Sequence, residues 1–193
     1  MIEQVIEWDK EFLIFLNSFH TPWLDPVILL ITKTIFWLPL YAFLIYLMFR
    51  TFKKEAWFIL IGAGITILLC DQITSTFMKP FFARLRPSQD PSMAGLLHHV
   101  DNYKGGLYGF ASGHAANTFG VALFVWLTLK PVYKWIWIIF IWAALMTYTR
   151  IYLGVHFPGD IIVGATIGLG CGWIGFKVSS YLLKRRKKTP SID

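Results

Sequence analysis

At 193 residues the chain has the length of one domain, yet 56% of its residues are hydrophobic, 18% aromatic and only 15% charged. That balance excludes an ordinary soluble core and predicts an integral membrane protein, all-α in class. The formal charge of +7 would suggest a polyanion partner if it were spread over one face, but it sits in short loops and the C-terminal stretch, so nucleic acid binding is not expected.

The first 20 residues place Ile2, Val5, Ile6, Phe12, Leu13 and Leu16 on one helical stripe, with Glu3, Glu7, Lys10 and Glu11 opposite. This pattern predicts an amphipathic helix lying along a membrane surface. Its acidic start lacks the basic region of a cleaved leader, so it is read as mature protein. Runs of about 20 apolar residues, the length that crosses roughly 30 Å of hydrocarbon, then predict five transmembrane helices. They fall near 26–49, 56–78, 112–130, 134–149 and 159–183. The expected organisation is a single membrane domain over 1–183 and a basic, disordered cytoplasmic tail over 184–193.

Orientation follows from the basic residues, which collect in cytoplasmic loops. Arg50, Lys53 and Lys54 follow the first span, Lys130 and Lys134 bracket the turn between the third and fourth, and Lys184 to Lys188 follow the fifth. The N-terminus and the loops 79–111 and 150–158 then face outward. Cys70 and Cys171 lie in predicted spans at different depths, so no disulfide is expected, and no Cys/His spacing suits zinc.

Three outward stretches hold most of the polar chemistry. KPFFARLRP carries Lys79, Arg84 and Arg86 where positive charge is normally sparse; they could hold an anion or simply snorkel to lipid phosphates. In YGFASGHAANTFG, Ser112 and Gly113 stand at a helix N-terminus, followed by His114. Backbone N–H groups there lack partners and the dipole favours anions, although Ser112 also suits a plain N-cap. In TRIYLGVHFPGD, Pro158 fits a first helical turn, leaving His156 just outside and Asp160 just inside. A carboxylate four residues from an imidazole can fix its tautomer and make its second nitrogen more nucleophilic. Arg150 offers a bidentate fork for phosphate oxygens, or a structural pair with Asp160. Two histidines, a carboxylate and a basic cradle drawn from several helix ends suit phosphoryl transfer.

The three stretches resemble the signature of the type 2 phosphatidic acid phosphatases (PAP2), a superfamily shared with vanadium haloperoxidases: K-x6-RP, PSGH and SR-x5-H-x3-D. Lys79, Arg86 and Pro87 match the first part, Ser112, Gly113 and His114 the second, and Arg150, His156 and Asp160 the third. Ala111 stands where the pattern has proline and Thr149 where it has serine. The resemblance implies that His156 is a nucleophile forming a phosphohistidine, that Asp160 supports it, and that His114 is the general acid and then the base. It implies that Lys79, Arg86, Arg150, Ser112 and the Gly113 amide bind phosphate, with no metal or other cofactor.

The expected activity is hydrolysis of a lipid phosphate or diphosphate at the outer face of a bacterial inner membrane. The candidate substrates are undecaprenyl diphosphate, phosphatidylglycerophosphate, phosphatidate or a lipid A phosphate. A small transporter or channel with a polar outer mouth is the alternative, and a haloperoxidase is disfavoured by the spans.

Outside the motif, Lys33 and Asp71 are expected to pair about 10 Å inside the membrane, from a rise of 1.5 Å per residue. Gly164, Gly168 and Gly172 form a small-residue ridge for close helix packing, its partner left open. The loop 88–108 reads as a lid or headgroup reader. Its His98–His99 pair lacks a third metal ligand at regular spacing, and Arg84, outside the pattern, is read as touching lipid headgroups.

Overall fold

A computed structural model describes residues 1–188, apart from the side chains of Ile2, Lys187 and Lys188. The helices are α1 (Ile2–Asn17), α2 (Asp25–Ile31), α3 (Leu38–Phe52), α4 (Ala56–Asp71), α5 (Lys79–Phe82), α6 (Gly113–Leu129), α7 (Ile139–Tyr152) and α8 (Pro158–Lys188). Among the described residues the only β pairing is one antiparallel bridge between Leu85 and Tyr108. By length and composition three helical segments can cross a membrane: Thr34–Phe82, Lys134–Tyr152 and Pro158–Arg186; Gly113–Leu129 is a shorter apolar helix. The first of these folds back on itself at Lys53, whose φ of 51° ends α3 before α4 begins.

The expected first span is not one helix. α2 stops at Ile31, Lys33 is extended (φ −79°, ψ 128°), and a 3-10 turn at Thr34–Trp37 leads into α3, with Pro39 in its first turn. The freed end of α2 is satisfied locally, because the Trp37 indole N–H donates to the Ile31 carbonyl at 2.7 Å. This break overturns the expected Lys33–Asp71 pair, whose depth was reckoned along a continuous helix. Lys33 is exposed, and Asp71 instead accepts from the Asn117 side-chain amide on α6 at 2.8 Å. The predicted second span is near-continuous helix, with α4 running through a π-helical stretch, Gln72–Met78, into α5. α8 continues past the expected end at 183 to Lys188, so the start of the supposed disordered tail is helical; residues 189–193 lie outside the described residues.

The glycine ridge of α8 lies on α6. A Cβ on Gly164, Gly168 or Gly172 would collide with the carbonyl oxygens of Ser112, Ala116 and Gly120 respectively. The three glycines therefore let two backbones approach as closely as small-residue helix interfaces allow. Cys70, Ala116 and Cys171 pack in one cluster beside this seam. The two thiols are free but adjacent, not at different depths. The main apolar core joins α3, α4, α6 and α7 through Leu44, Met48, Ile59, Phe124, Trp142 and Met146.

α1 forms as expected and docks on the bundle through one side. Leu13 is fully buried with Met93, Ile151 and Phe157, a burial that stabilises by about 1.5–3 kcal/mol. Asn17, also buried, donates to the carbonyls of Ile151 (3.1 Å) and Tyr152 (2.8 Å), which end α7, and accepts from the His98 N–H at 2.7 Å. Val5, Ile6 and Phe12, expected on the same stripe as Leu13, are exposed together with Trp8, Phe15 and Phe19. The inward face thus carries Asp9, Leu13 and Asn17, because two polar residues find buried partners there.

Candidate active site

Three backbone connections converge on the end of the bundle where α6 and α8 begin and α7 ends. α7 closes at Gly154, whose φ of +63° suits glycine, and Val155 N–H returns to the Arg150 carbonyl at 3.0 Å. The chain then needs only a short turn before Pro158 starts α8. Ser112 N–H donates to the Asp160 carbonyl at 2.9 Å, tying the start of α6 to the first turn of α8. Arg86 N–H to Leu107 O (3.0 Å) and Gly109 N–H to Arg84 O (2.9 Å) close the base of the long loop and bring both arginines beside that junction.

His156 is 1% exposed and its two ring nitrogens face different partners. Nδ1 lies 3.4 Å from Asp160 Oδ2, and Nε2 lies 3.1 Å from Arg86 Nη1. A guanidinium has donors and no acceptor, so Nε2 must be the accepting nitrogen and Nδ1 carries the proton toward Asp160. Burial first, then the charges of Arg86, Arg150 and Lys79, hold His156 well below the ordinary imidazole value. A neutral ring with its lone pair on Nε2 results, turned toward cationic side chains.

Arg86 is itself held by Tyr108 O (Nε, 3.2 Å) and Val155 O (Nη1, 3.3 Å). Arg150, 3% exposed, donates from Nη1 to Thr32 Oγ1 at 2.9 Å and from both Nη atoms to the Tyr103 hydroxyl at 3.3 Å. Its Nε is buried with no hydrogen-bond partner. Thr149 Oγ1 lies 3.0 Å from Thr32 Oγ1, so the hydroxyl beside the arginine steadies the residue that holds it. Lys79 Nζ donates to Ser75 Oγ at 3.0 Å, and a Cβ on Gly113 would stand 3.9 Å from the same ammonium. Ser112 is fully buried and its Oγ caps α6 by accepting from Ala115 N–H at 3.4 Å. His114 follows in the first turn of α6 and lines the adjoining apolar cavity. All eight residues expected at the site therefore come from several elements to one end of the bundle.

One expectation changes and one alternative is set aside. Asp160, fully buried, pairs with Arg84 (Nη1 to Oδ1, 2.8 Å), not with Arg150. Arg84 is thus engaged inside the protein and does not reach for headgroups; its other amino group pairs with Asp9 Oδ2 at 2.7 Å. Tyr103, Thr32 and Asp9 are residues that sequence reasoning missed. Only the break after α2 brings Thr32 to the site, and nothing in the spacing of Asp9 marks it out from the other acidic residues of α1. His98 meets Asp25 (3.0 Å) and stacks on His20 (3.9 Å between centroids), while His99 Nδ1 lies 3.4 Å from the Leu153 carbonyl. Among the described residues no group of three or more His, Cys, Asp or Glu is arranged to hold a metal.

Beside His114 an apolar cavity of about 360 Å³ runs between α3, α4, α6 and α7, lined by Tyr41, Met48, Ile67, Val121 and Trp142 among others. Cationic side chains gathered next to an apolar cavity, within a bundle of apolar helices, are the arrangement that a phosphatase for lipid-borne phosphate would need. The chain belongs to the PAP2 superfamily, whose model matches residues 56–184. It is 36% identical to the lipid A 4'-phosphatase of Bacteroides thetaiotaomicron, over 96% of this chain and 83% of that one. With the lipid A 4'-phosphatase of Porphyromonas gingivalis it shares 39% identity over 95% of this chain and 78% of the other. The crystal structure of Aquifex aeolicus LpxE superposes with a TM-score of 0.65 at 31% identity, covering 86% of this chain and 93% of that one. The protein is accordingly a membrane PAP2 lipid phosphatase.

Proposed function

We propose that this protein removes a phosphate monoester from a lipid A-type glycolipid at the outer face of the inner membrane, through a phosphohistidine on His156. The observation that carries the reading is the polarised His156 ring, with Nδ1 toward Asp160 and Nε2 accepting from Arg86. The lone pair that Arg86 holds is the one that attacks phosphorus when the phosphate draws the guanidinium onto its own oxygens. Arg86, Lys79, the Nε of Arg150 and the Gly113 N–H surround the phosphoryl group and stabilise charge on its equatorial oxygens. Ser112 supports the cradle mainly as the cap that orders the start of α6.

The Nε2–P bond forms as the P–O bond to the sugar breaks, and His114 gives its proton to the departing oxygen. His114 then takes a proton from water, whose oxygen attacks phosphorus, and the Nε2–P bond breaks to release inorganic phosphate. No step calls for a metal. The acyl chains lie in the cavity beside His114, and the five apolar helical stretches each cross the bilayer with the basic turns at Lys53–Lys54 and Lys130–Lys134 inward. Identity to two lipid A 4'-phosphatases over nearly the whole chain favours the glycolipid over the other lipids of the same charge.

Phosphate release from purified protein in detergent, measured on lipid A, phosphatidate, phosphatidylglycerophosphate and undecaprenyl diphosphate with and without EDTA, tests this. The expected result is highest kcat/KM on lipid A, unchanged by EDTA and abolished in folded His156→Ala. Preference for undecaprenyl diphosphate would overturn the substrate, and turnover by His156→Ala would overturn the nucleophile.

A further inference from the structure

Arg84 and Asp9 lie outside the three-part motif, yet they occupy one side of the Asp160 carboxylate. Arg84 donates from Nη1 to Asp160 Oδ1 at 2.8 Å and from Nη2 to Asp9 Oδ2 at 2.7 Å, with its guanidinium 4.1 Å above the Phe157 ring. The other Asp9 oxygen accepts the Gly159 N–H at 2.7 Å, one of the first-turn amides that α8 leaves without a helical partner. Asp160 Oδ2, meanwhile, takes the Phe157 N–H at 3.0 Å and faces His156 Nδ1. The two oxygens of Asp160 are thereby divided, one committed to Arg84 and one to the imidazole.

We propose that Asp9 and Arg84 are positioning residues for phosphoryl transfer, through which the N-terminal helix aims the carboxylate that aims His156. The proposal rests on the assignment of His156 as nucleophile. Asp160 is fully buried, and a carboxylate there needs a fixed countercharge to stay ionised and oriented. Arg84 supplies it, but its side chain is long, partly exposed and close to the phosphate cradle. Without Asp9 the guanidinium can turn toward bound phosphate, leaving Asp160 free to rotate about its own side-chain bonds. With Asp9 in place both Nη groups are committed, and the same carboxylate clamps the backbone of the turn that carries His156. A merely structural staple is a poor account of this geometry, since Leu13 and Asn17 already dock α1.

The test compares Asp9→Asn, Arg84→Gln and the double variant with wild type and His156→Ala, using lipid A in detergent micelles. A misplacement of about 1 Å at a reacting group can cost on the order of 100-fold in rate. Arg84→Gln is expected to lose about that factor in kcat and Asp9→Asn about 10-fold, both with KM little changed. The double variant should be no slower than Arg84→Gln, because Asp9 acts through Arg84. Arg84→Gly should recover activity with added guanidinium ion but not with equal sodium chloride, and the recovery should fail when Asp9→Asn is also present. Unchanged kcat in both single variants, or rate losses that track lower thermal stability with no guanidinium recovery, would overturn the proposal. Activity surviving in His156→Ala would instead overturn the reading it rests on.

Discussion

Placing a methyl group on the α6–α8 seam separates the seam's two roles, holding the bundle together and setting the distance between the histidines. In Gly164→Ala the new Cβ meets the Ser112 carbonyl and comes 3.2 Å from Ala115 Cβ, on either side of His114 in sequence. In Gly172→Ala the same group meets the Gly120 carbonyl, about 12 Å farther along α8 at 1.5 Å per residue. Both contacts are backbone against backbone, so the helices must separate, and overpacking of this kind costs about 1–3 kcal/mol. The stability loss should therefore be similar. The effect on rate should not, because Gly164 lies one turn from Asp160 and opposite the cap of α6, where a displacement near 1 Å costs up to about 100-fold. Thermal unfolding in detergent and steady-state phosphate release would be measured on both variants. The expected outcome is comparable destabilisation with turnover lost much more heavily in Gly164→Ala. Equal activity losses, or a Gly164→Ala protein as active as wild type, would refute the claim that this seam sets the geometry of the site.

Three further outcomes follow from named contacts. His156 is held below the imidazole range by burial and by Arg86, Arg150 and Lys79, so kcat/KM should stay level as pH falls through about 6.5, and Arg86→Gln should move its acid limb upward. The unfolded chain takes up that proton near the ordinary value while the native state resists it, so this group's contribution to stability is present above about pH 6.5 and declines below it; unfolding measured across pH checks the sign. Thr32→Val removes the hydroxyl between Arg150 Nη1 and Thr149 Oγ1, which should cost about 1.5–3 kcal/mol and weaken inhibition by inorganic phosphate. Asn17→Leu strips the Tyr152 carbonyl of its side-chain donor and the His98 N–H of its acceptor, and thermal unfolding should show a loss of about 1–3 kcal/mol for each buried group left unmatched.

How much of this was legible in the sequence depended on whether a residue's partner was local. Ser112 and Pro158 announce helix starts by their own chemistry, and His156 and Asp160 are separated by one turn, so their meeting was readable from spacing. The glycine ridge was likewise readable as a packing face, though its partner, α6, was not. Lys33 failed because apolar composition alone concealed the break after Ile31, and a depth counted along an assumed helix then assigned Asp71 the wrong partner. Arg84 failed for a different reason: its partners, Asp9 and Asp160, lie far from it in sequence on two other elements. A long-range ion pair leaves no periodic mark. The amphipathic stripe of α1 predicted the helix but not the contacts that dock it, since the partners of Asp9 and Asn17 lie far away in sequence.

The account turns on a covalent bond between phosphorus and His156 Nε2, and rapid quenching of the enzyme during turnover of lipid A labelled with 32P at its phosphate tests it directly. The expected product is one acid-labile, base-stable label on the peptide containing His156, absent from His156→Ala. Turnover at the wild-type rate with no labelled enzyme, or label on His114 instead, would contradict it.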